Sequence, residues 1–370
     1  MKRLLTVFFV LALAVSLAPA SHAKPRWHGH LFGPLTMRGG ASGANTWPAR
    51  KYYVYVPAKL AAARRRALVV FLHGTTQTAK DAAYGTRWND LADVHGFVVA
   101  YPEESPDANN DGANAARAWP WGRAAYEGRD QGEFKTIALI TRAVTKRYSV
   151  DARRVYIGGL SAGAIMGAAQ AATYPDLYAA YGSWAGCAYL CADPTGALGY
   201  QRMGTHARVV PGILFSGTAD YLVPLPLTST QLTGWVFMND WADDGTLNGS
   251  VSWTPTDGPT TVGDDTGSLE PAPNTGPSNG SHGDGGACLY LSHPKGNNPC
   301  PAGPLGWKSY PYTVTRYGFA KAPHRVVVES WYIHGMSHNY ADGNTDGNFV
   351  DPFGPDTTTA AWRFFEAHPR

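Results

Sequence analysis

The chain has 370 residues, a net charge of +3 and only 16% charged residues. A charge this small and dispersed excludes nucleic acid and the anionic membrane surface as expected partners. The 42 glycines, 12 tryptophans and 20 tyrosines suit a compact, loop-rich globular chain, not a disordered or coiled-coil one.

Met1-Lys2-Arg3 is a short basic start, followed by the uncharged apolar run Leu4 to Leu17 and by Ser21-His22-Ala23. Charge, apolar run and small-x-small site in that order read as a secretory signal peptide spanning 1–23. An uncleaved anchor helix is the alternative, but the run falls short of the roughly 20 residues that span a bilayer. The chain is therefore expected to be secreted, extracellular or periplasmic, with 24–370 as a single domain.

Lys51 to Val56 reads as a strand closed by Pro57, and Ala67 to Leu72 as a strand buried on both faces that stops at His73-Gly74. A helix around Trp88 to Val94 precedes the strand Phe97 to Tyr101. The helix Glu133 to Tyr148 carries Phe134, Ile137, Ile140, Val144 and Tyr148 on one face. Val155 to Gly158 is a strand and Ser161 to Tyr174 a buried small-residue helix. Strands at Ile213 to Ser216 and Arg325 to Trp331 and a helix at Thr357 to Ala367 complete the series. Strands alternating with helices predict an α/β fold, a mostly parallel central sheet covered on both faces. From Leu225 to about Tyr312 the chain is rich in Gly, Pro, Ser, Thr, Asn and Asp, and 225–312 is read as an insertion. Such segments are uncommon in compact domains. It either lies over the functional face or is a surface excursion without contact to substrate.

Four cysteines follow the leader: Cys187, Cys191, Cys288 and Cys300. An even count in an oxidising compartment suggests two disulfides, and of the three pairings the local ones, Cys187–Cys191 and Cys288–Cys300, are favoured. Neither pair reads C-x-x-C, which disfavours a zinc site.

Gly159-Leu160-Ser161-Ala162-Gly163 matches G-x-S-x-G between a strand and a helix. There a serine is held on a sharp turn with its hydroxyl exposed at the sheet edge, as in the α/β-hydrolase fold. Its rival is a Gly-rich turn without a catalytic role. A serine nucleophile needs a base and an orienting acid, and in this fold they follow in the order acid, then histidine. Asp220 stands directly behind the strand Ile213 to Ser216. His334 and His338 both follow the strand Arg325 to Trp331, and His338, deeper in the loop, is preferred. The oxyanion donors are expected to be the backbone N–H groups of Ala162 and Thr75, with Thr76 next in line.

Leu72-His73-Gly74-Thr75-Thr76-Gln77 resembles the oxyanion loop of the polyhydroxybutyrate depolymerase family of esterases, which include relatives acting on feruloyl esters. Trp119-Pro120-Trp121, Tyr174-Pro175-Asp176, Gly217-Thr218-Ala219-Asp220 with Val223-Pro224, Gly335-Met336-Ser337-His338 and Asp351-Pro352-Phe353-Gly354 are similar to the family too. The resemblance covers about Arg50 to Pro224 and Ala322 to the end, and implies Ser161, Asp220 and His338 as the triad. Two departures stand out. Thr75 replaces the family's usual cysteine, and Asp220 and His338 are 118 positions apart, a longer span than the family suggests.

The resemblance implies a serine ester hydrolase acting on an aliphatic polyester, or on feruloyl or acetyl esters of plant polysaccharide. A peptidase and a non-catalytic binding protein on a hydrolase scaffold are the rivals. The expected partner is an ester or polyester substrate, with no nucleic acid and no membrane, and the chain is expected to act as a monomer. Trp119, Trp121, Trp184, Tyr221, Trp235 and Trp307 are candidates to line a cleft, Trp121 and Tyr221 foremost; a core position is the alternative for each. No cofactor is expected. Asp107 to Gly112 and Asp342 to Gly347 start like calcium loops but lack a glutamate at the twelfth position. A structural calcium at Asp342, Asn344 and Asp346 is the alternative to a plain turn.

Overall fold

The computed structural model describes residues 27–106, 116–122, 128–262 and 310–370. The leader 1–23, Cys288 and Cys300, Asp107 to Gly112 and Trp307 lie outside these residues. The strands are β1 (His30–Met37), β2 (Gly40–Ser42), β3 (Asn45–Trp47), β4 (Arg50–Val56), β5 (Leu68–Leu72), β6 (Val98–Glu103), β7 (Val155–Leu160), β8 (Tyr181–Trp184), β9 (Gly212–Gly217), β10 (Thr260–Val262), β11 (Tyr312–Phe319), β12 (Ala322–Ile333), β13 (Tyr340–Ala341) and β14 (Val350–Asp351). The helices are α1 (Ala79–Gly85), α2 (Trp88–His95), α3 (Gly132–Arg147), α4 (Ala162–Thr173), α5 (Ala197–Met203), α6 (Leu225–Asp244) and α7 (Thr357–Ala367).

Among the described residues ten strands form one sheet in the order β1-β4-β6-β5-β7-β8-β9-β12-β11-β10. From β6 to β12 the neighbours run parallel, and β1, β4, β11 and β10 are antiparallel to theirs. Alternate side chains of each central strand enter opposite cores. Val70 and Leu72 of β5 pack with Phe134, Ile137 and Ile140 of α3 and Met166 of α4. Val69 and Phe71 pack on the other face with Ala82 of α1, Trp88 of α2 and Phe365 of α7. That second core is largely aromatic: Phe97 stacks on Trp362 at 4.0 Å and Tyr156 on Phe365 at 4.8 Å.

The expected insertion does not begin at residue 225. Leu225–Asp244 is the 20-residue helix α6, which buries Trp235 over Gly212 of the sheet and Met238 against Gly199 of α5. Its C-terminal turn is anchored by the buried Asp240. This carboxylate accepts N–H groups of Asn248, Gly249 and Val251 at 2.9 Å each, the Ser250 hydroxyl at 3.0 Å and the Trp253 indole N–H at 3.0 Å. The chain then runs beside β11, through Ser252 N–H to Gly318 O, into β10.

A buried charge cluster joins the ends of β4 and β6 to α3. The Arg50 guanidinium contacts both Glu104, at 3.3 Å, and Glu133, and all three residues are at most 5% exposed. Two carboxylates sharing one guanidinium away from water cannot both ionise cheaply. Burial and the neighbouring Glu133 push Glu104 well above the usual carboxylate range, to about 9, and burial raises Glu133 as well. An acid whose pKa rises on folding stabilises fully below its unfolded value and loses that contribution as pH climbs through the folded value. The protein is therefore expected to lose stability between pH 5 and pH 9. Glu104→Gln, which leaves Arg50 to Glu133 alone, is expected to lose less over the same interval. Urea midpoints at the two pH values measure this, and equal losses in the two proteins would refute it.

Candidate active site

Ser161 stands between the last residue of β7 and the first of α4, at φ 55° and ψ −123°. A non-glycine residue held there costs on the order of 1–3 kcal/mol and persists only where its surroundings enforce it. Here Ser161 N–H donates to Trp184 O at the end of β8, 2.8 Å away, and Ile165 N–H donates back to Ser161 O at 3.0 Å. Two glycines permit the turn. A Cβ on Gly163 would lie 2.2 Å from Leu72 O and 2.5 Å from His73 O, and one on Gly159 would meet the Gly163 carbonyl at 2.5 Å. The elbow is thus pressed against the end of β5, and a Cβ on Gly74 would lie 3.5 Å from Ser161 Cβ.

The structure brings Asp220 and His338 together. His338 Nδ1 donates to Asp220 Oδ2 at 2.8 Å, and both residues are buried. The other carboxylate oxygen accepts N–H groups of Leu222 at 2.9 Å and Val223 at 2.8 Å, so the acid is fixed by its own loop. With Nδ1 carrying the hydrogen, Nε2 has its lone pair and can take a proton. The two loops are laced to each other by Thr218 N–H to Ile333 O at 2.9 Å, Ala219 N–H to Met336 O at 3.0 Å and Gly335 N–H to Thr218 Oγ1 at 2.8 Å. Tyr340, two residues past His338, stacks on Trp184 at 5.0 Å. Among the described residues no hydrogen bond joins the Ser161 hydroxyl to His338, a link that commonly tightens only with substrate bound. The rival His334 is placed differently. Its Nε2 lies 2.8 Å from Thr313 Oγ1 on β11, and burial lowers its pKa.

The backbone N–H groups of the loop after β5 differ in whether they are already paired. Gly74 N–H donates to Gln77 Oε1 at 2.7 Å, Thr76 N–H to Ala116 O at 2.5 Å and Gln77 N–H to Gly74 O at 3.2 Å. Among the described residues Thr75 N–H has no acceptor, and neither has Ala162 N–H, the first of α4. Thr76, the second candidate, is thereby set aside. The loop is supported from behind: the Trp119 indole N–H donates to His73 O at 2.8 Å, and Glu104 N–H donates to His73 Nε2 at 3.0 Å. Burial lowers the His73 pKa to about 4, so the ring is neutral and its Nδ1 is left to donate to Gly74 O at 2.8 Å.

Beside Ser161 the loops converge in an apolar cluster of Ile165, Cys187 and Val223, with Trp121 and Cys191 packed on it. Cys187 and Cys191 form a disulfide with a Cα–Cα distance of 5.1 Å. Tyr221 is 46% exposed on the acid loop. Trp119, Trp184 and Trp235 are core residues whose indole N–H groups hold His73 O, Thr357 Oγ1 and Val210 O. The bracing role of Trp184 carries no sequence signal beyond the residue type, and Trp119 is marked only as part of the Trp119-Pro120-Trp121 resemblance. In the Asp342 to Gly347 stretch, Asp342 is paired with Arg87 at 2.7 Å, and Asn344 N–H donates to Gly85 O at 2.7 Å. A guanidinium on that carboxylate competes with a cation, and the stretch docks on the C-terminal end of α1.

Residues 50–220 match the model of the family described as esterase PHB depolymerase. Poly(3-hydroxyalkanoate) depolymerase C of Paucimonas lemoignei is 41% identical over 126 residues, which are 34% of this chain and 29% of that protein. Feruloyl esterase B of Neurospora crassa is 34% identical over 141 residues, 38% of this chain and 45% of that one. Acetylxylan esterase A of Aspergillus oryzae is 34% identical over 136 residues, 37% of this chain and 41% of that one. The chain thus spans less than half the length of these relatives. The structure of an acetyl xylan esterase from Aspergillus awamori is similar with a TM-score of 0.54 at 18% identity, over 85% of this chain and 94% of that one. The fold is that of the α/β-hydrolases.

The packing at the elbow predicts the effect of one added methyl. Gly163→Ala is expected to lower stability by about 1–3 kcal/mol, because the backbone carbonyls of β5 cannot move aside alone. Ser161 should also label more slowly with a fluorophosphonate. Urea midpoints and labelling rates check this, and an unchanged midpoint would show slack at the contact.

Proposed function

We propose, from the premise that residues 50–220 belong to the esterase PHB depolymerase family, that this chain hydrolyses carboxylic esters through an acyl-enzyme on Ser161. The observation that carries the reading is the 2.8 Å contact of buried Asp220 with His338, at the sheet edge where Ser161 stands on its strained turn. His338 Nε2 takes the hydroxyl proton as Ser161 attacks the ester carbonyl. Asp220 holds the imidazole and stabilises its protonated form. The N–H groups of Thr75 and Ala162 receive the oxyanion, worth about two to three orders of magnitude in rate per donor in such sites. His338 then protonates the leaving alcohol, and water activated by the same imidazole releases the acid. The scheme requires no cofactor.

An aliphatic polyester of the poly(3-hydroxyalkanoate) type is the first substrate class, because the relative that acts on such a polymer by name has the highest identity of those compared, 41%. Feruloyl or acetyl esters of plant polysaccharide are the second, favoured by the matches of 34% to a feruloyl esterase and an acetylxylan esterase. We read the enzyme as secreted, on its leader. Among the described residues no helix is long and apolar enough to cross a membrane.

Ser161→Ala is expected to lower turnover of p-nitrophenyl butyrate by roughly 10⁴- to 10⁶-fold and to abolish fluorophosphonate labelling. Full retained activity would sink the reading. Parallel assays on a polyhydroxybutyrate emulsion, methyl ferulate and acetylated xylan rank the substrate classes, and release of hydroxybutyrate from the emulsion is the expected result.

A further inference from the structure

Gln77 is a fully enclosed amide, 3% exposed, lying between the two loops that flank Ser161. Its Oε1 accepts Gly74 N–H at 2.7 Å, and its Nε2 donates to Asn348 O at 2.6 Å. One neighbour offers a donor and the other an acceptor, so the amide has a single productive orientation. Both partners belong to the machinery. Gly74 immediately precedes Thr75, whose N–H has no acceptor among the described residues. Asn348 immediately precedes Phe349, whose carbonyl accepts Tyr340 N–H at 2.8 Å and whose ring meets His338 edge-on at 6.4 Å. The same Asn348 is fixed on its far side, where its Nδ2 donates to Asp81 Oδ1 at 2.9 Å. Asp81 in turn closes the capping box of α1 with Thr78. Gln77 therefore bridges 271 positions of chain, from the oxyanion loop to the strap beside the base.

We infer that Gln77 is a positioning residue that sets the Thr75 N–H against the oxyanion and keeps that donor in register with His338. The inference rests on the esterase reading above. The Gly74–Gln77 turn places Thr76 at φ 67°, a conformation threonine rarely adopts, and the side-chain bond to Gly74 N–H closes that turn a second time. Without the amide, the turn is free to relax toward an ordinary conformation and to swing the Thr75 N–H away. An oxyanion donor acts on charge that develops in the transition state, so the loss falls on kcat and leaves substrate binding little altered.

The test compares the wild type with Gln77→Met, which keeps the size but neither hydrogen bond, and Gln77→Glu, which keeps an acceptor for Gly74 N–H but when ionised cannot donate to Asn348 O. All three are assayed in the folded state, verified by thermal melting, on p-nitrophenyl butyrate and with a phenylboronic acid as transition-state mimic. Gln77→Met is expected to lower kcat by roughly 10- to 100-fold with KM within about twofold, and to weaken boronate binding in parallel. Gln77→Glu is expected to lie between, and its kcat relative to wild type at the same pH should rise as pH falls. Once protonated, the introduced carboxyl regains a donor for Asn348 O, a pH response that a merely structural contribution would not reproduce. Unchanged kcat in folded Gln77→Met, or a rise in KM alone, overturns the inference while leaving the esterase reading intact. A wild type that neither hydrolyses the ester nor labels at Ser161 overturns both.

Discussion

Everything at the sheet edge depends on a backbone approach that no side chain could survive. The Leu72 and His73 carbonyls lie where a Cβ on Gly163 would be, and the Gly163 carbonyl where a Cβ on Gly159 would be. Because the chain closes on itself there, Ser161 is driven to φ 55°. The same approach sets the loop after β5 beside it. The strain is local, and burial on both faces of β5 and β7 holds it in place. Every residue of these two strands is buried, so the elbow cannot relax without disturbing both cores.

Asp220 and His338 are fixed from a different direction. Trp184, at the end of β8, accepts Ser161 N–H through its carbonyl, stacks on Tyr340 and donates its indole N–H to Thr357 Oγ1 at 2.9 Å. Thr357 opens α7 and its hydroxyl donates to Ala341 O at 3.0 Å. One tryptophan and the first turn of the last helix thus tie the turn at Ser161 to the loop that carries His338. Trp119 and His73 do the equivalent for the loop after β5, where the buried Glu104 supplies its backbone N–H as a donor.

The parts of this arrangement legible in the sequence are those with a local signal. The uninterrupted apolar runs at Leu68–Leu72, Val98–Tyr101 and Val155–Ile157, bounded by turn residues, read as strands buried on both faces, and the periodic stretch from Phe134 to Val144 as an amphipathic helix. The elbow announces itself because glycine, serine and glycine are required at fixed spacing. Helix α6 is not legible. Its sequence carries three threonines, a serine, a glycine and a proline, poor helix formers, and lacks a polar stripe. It is helical because Gly234 lets it pack on the Asp193 carbonyl and because Trp235 fills the space over Gly212. Strand β8 is hidden for the same reason: four residues, including Gly182 and Ser183, carry no pattern, and their neighbours on both sides decide their conformation. The Asp342 to Gly347 stretch is ambiguous in the sequence because turns and cation sites favour the same residues; in the structure Asp342 pairs with Arg87 and Gly347 packs on Gly85.

The five hydrogen bonds on Asp240 have a consequence for how such a chain can change over generations. They end α6 firmly, and on the far side Tyr310 returns to the core with its hydroxyl on Asp351 at 3.0 Å. Each of these two anchors is held by contacts of its own. Lengthening a closed excursion twofold costs only about 0.6 kcal/mol in entropy. Changes of length between two such anchors need not disturb the anchors themselves, so Asp240 and Tyr310 can hold the end of α6 and the Asp351 turn in place across sequences that differ between them.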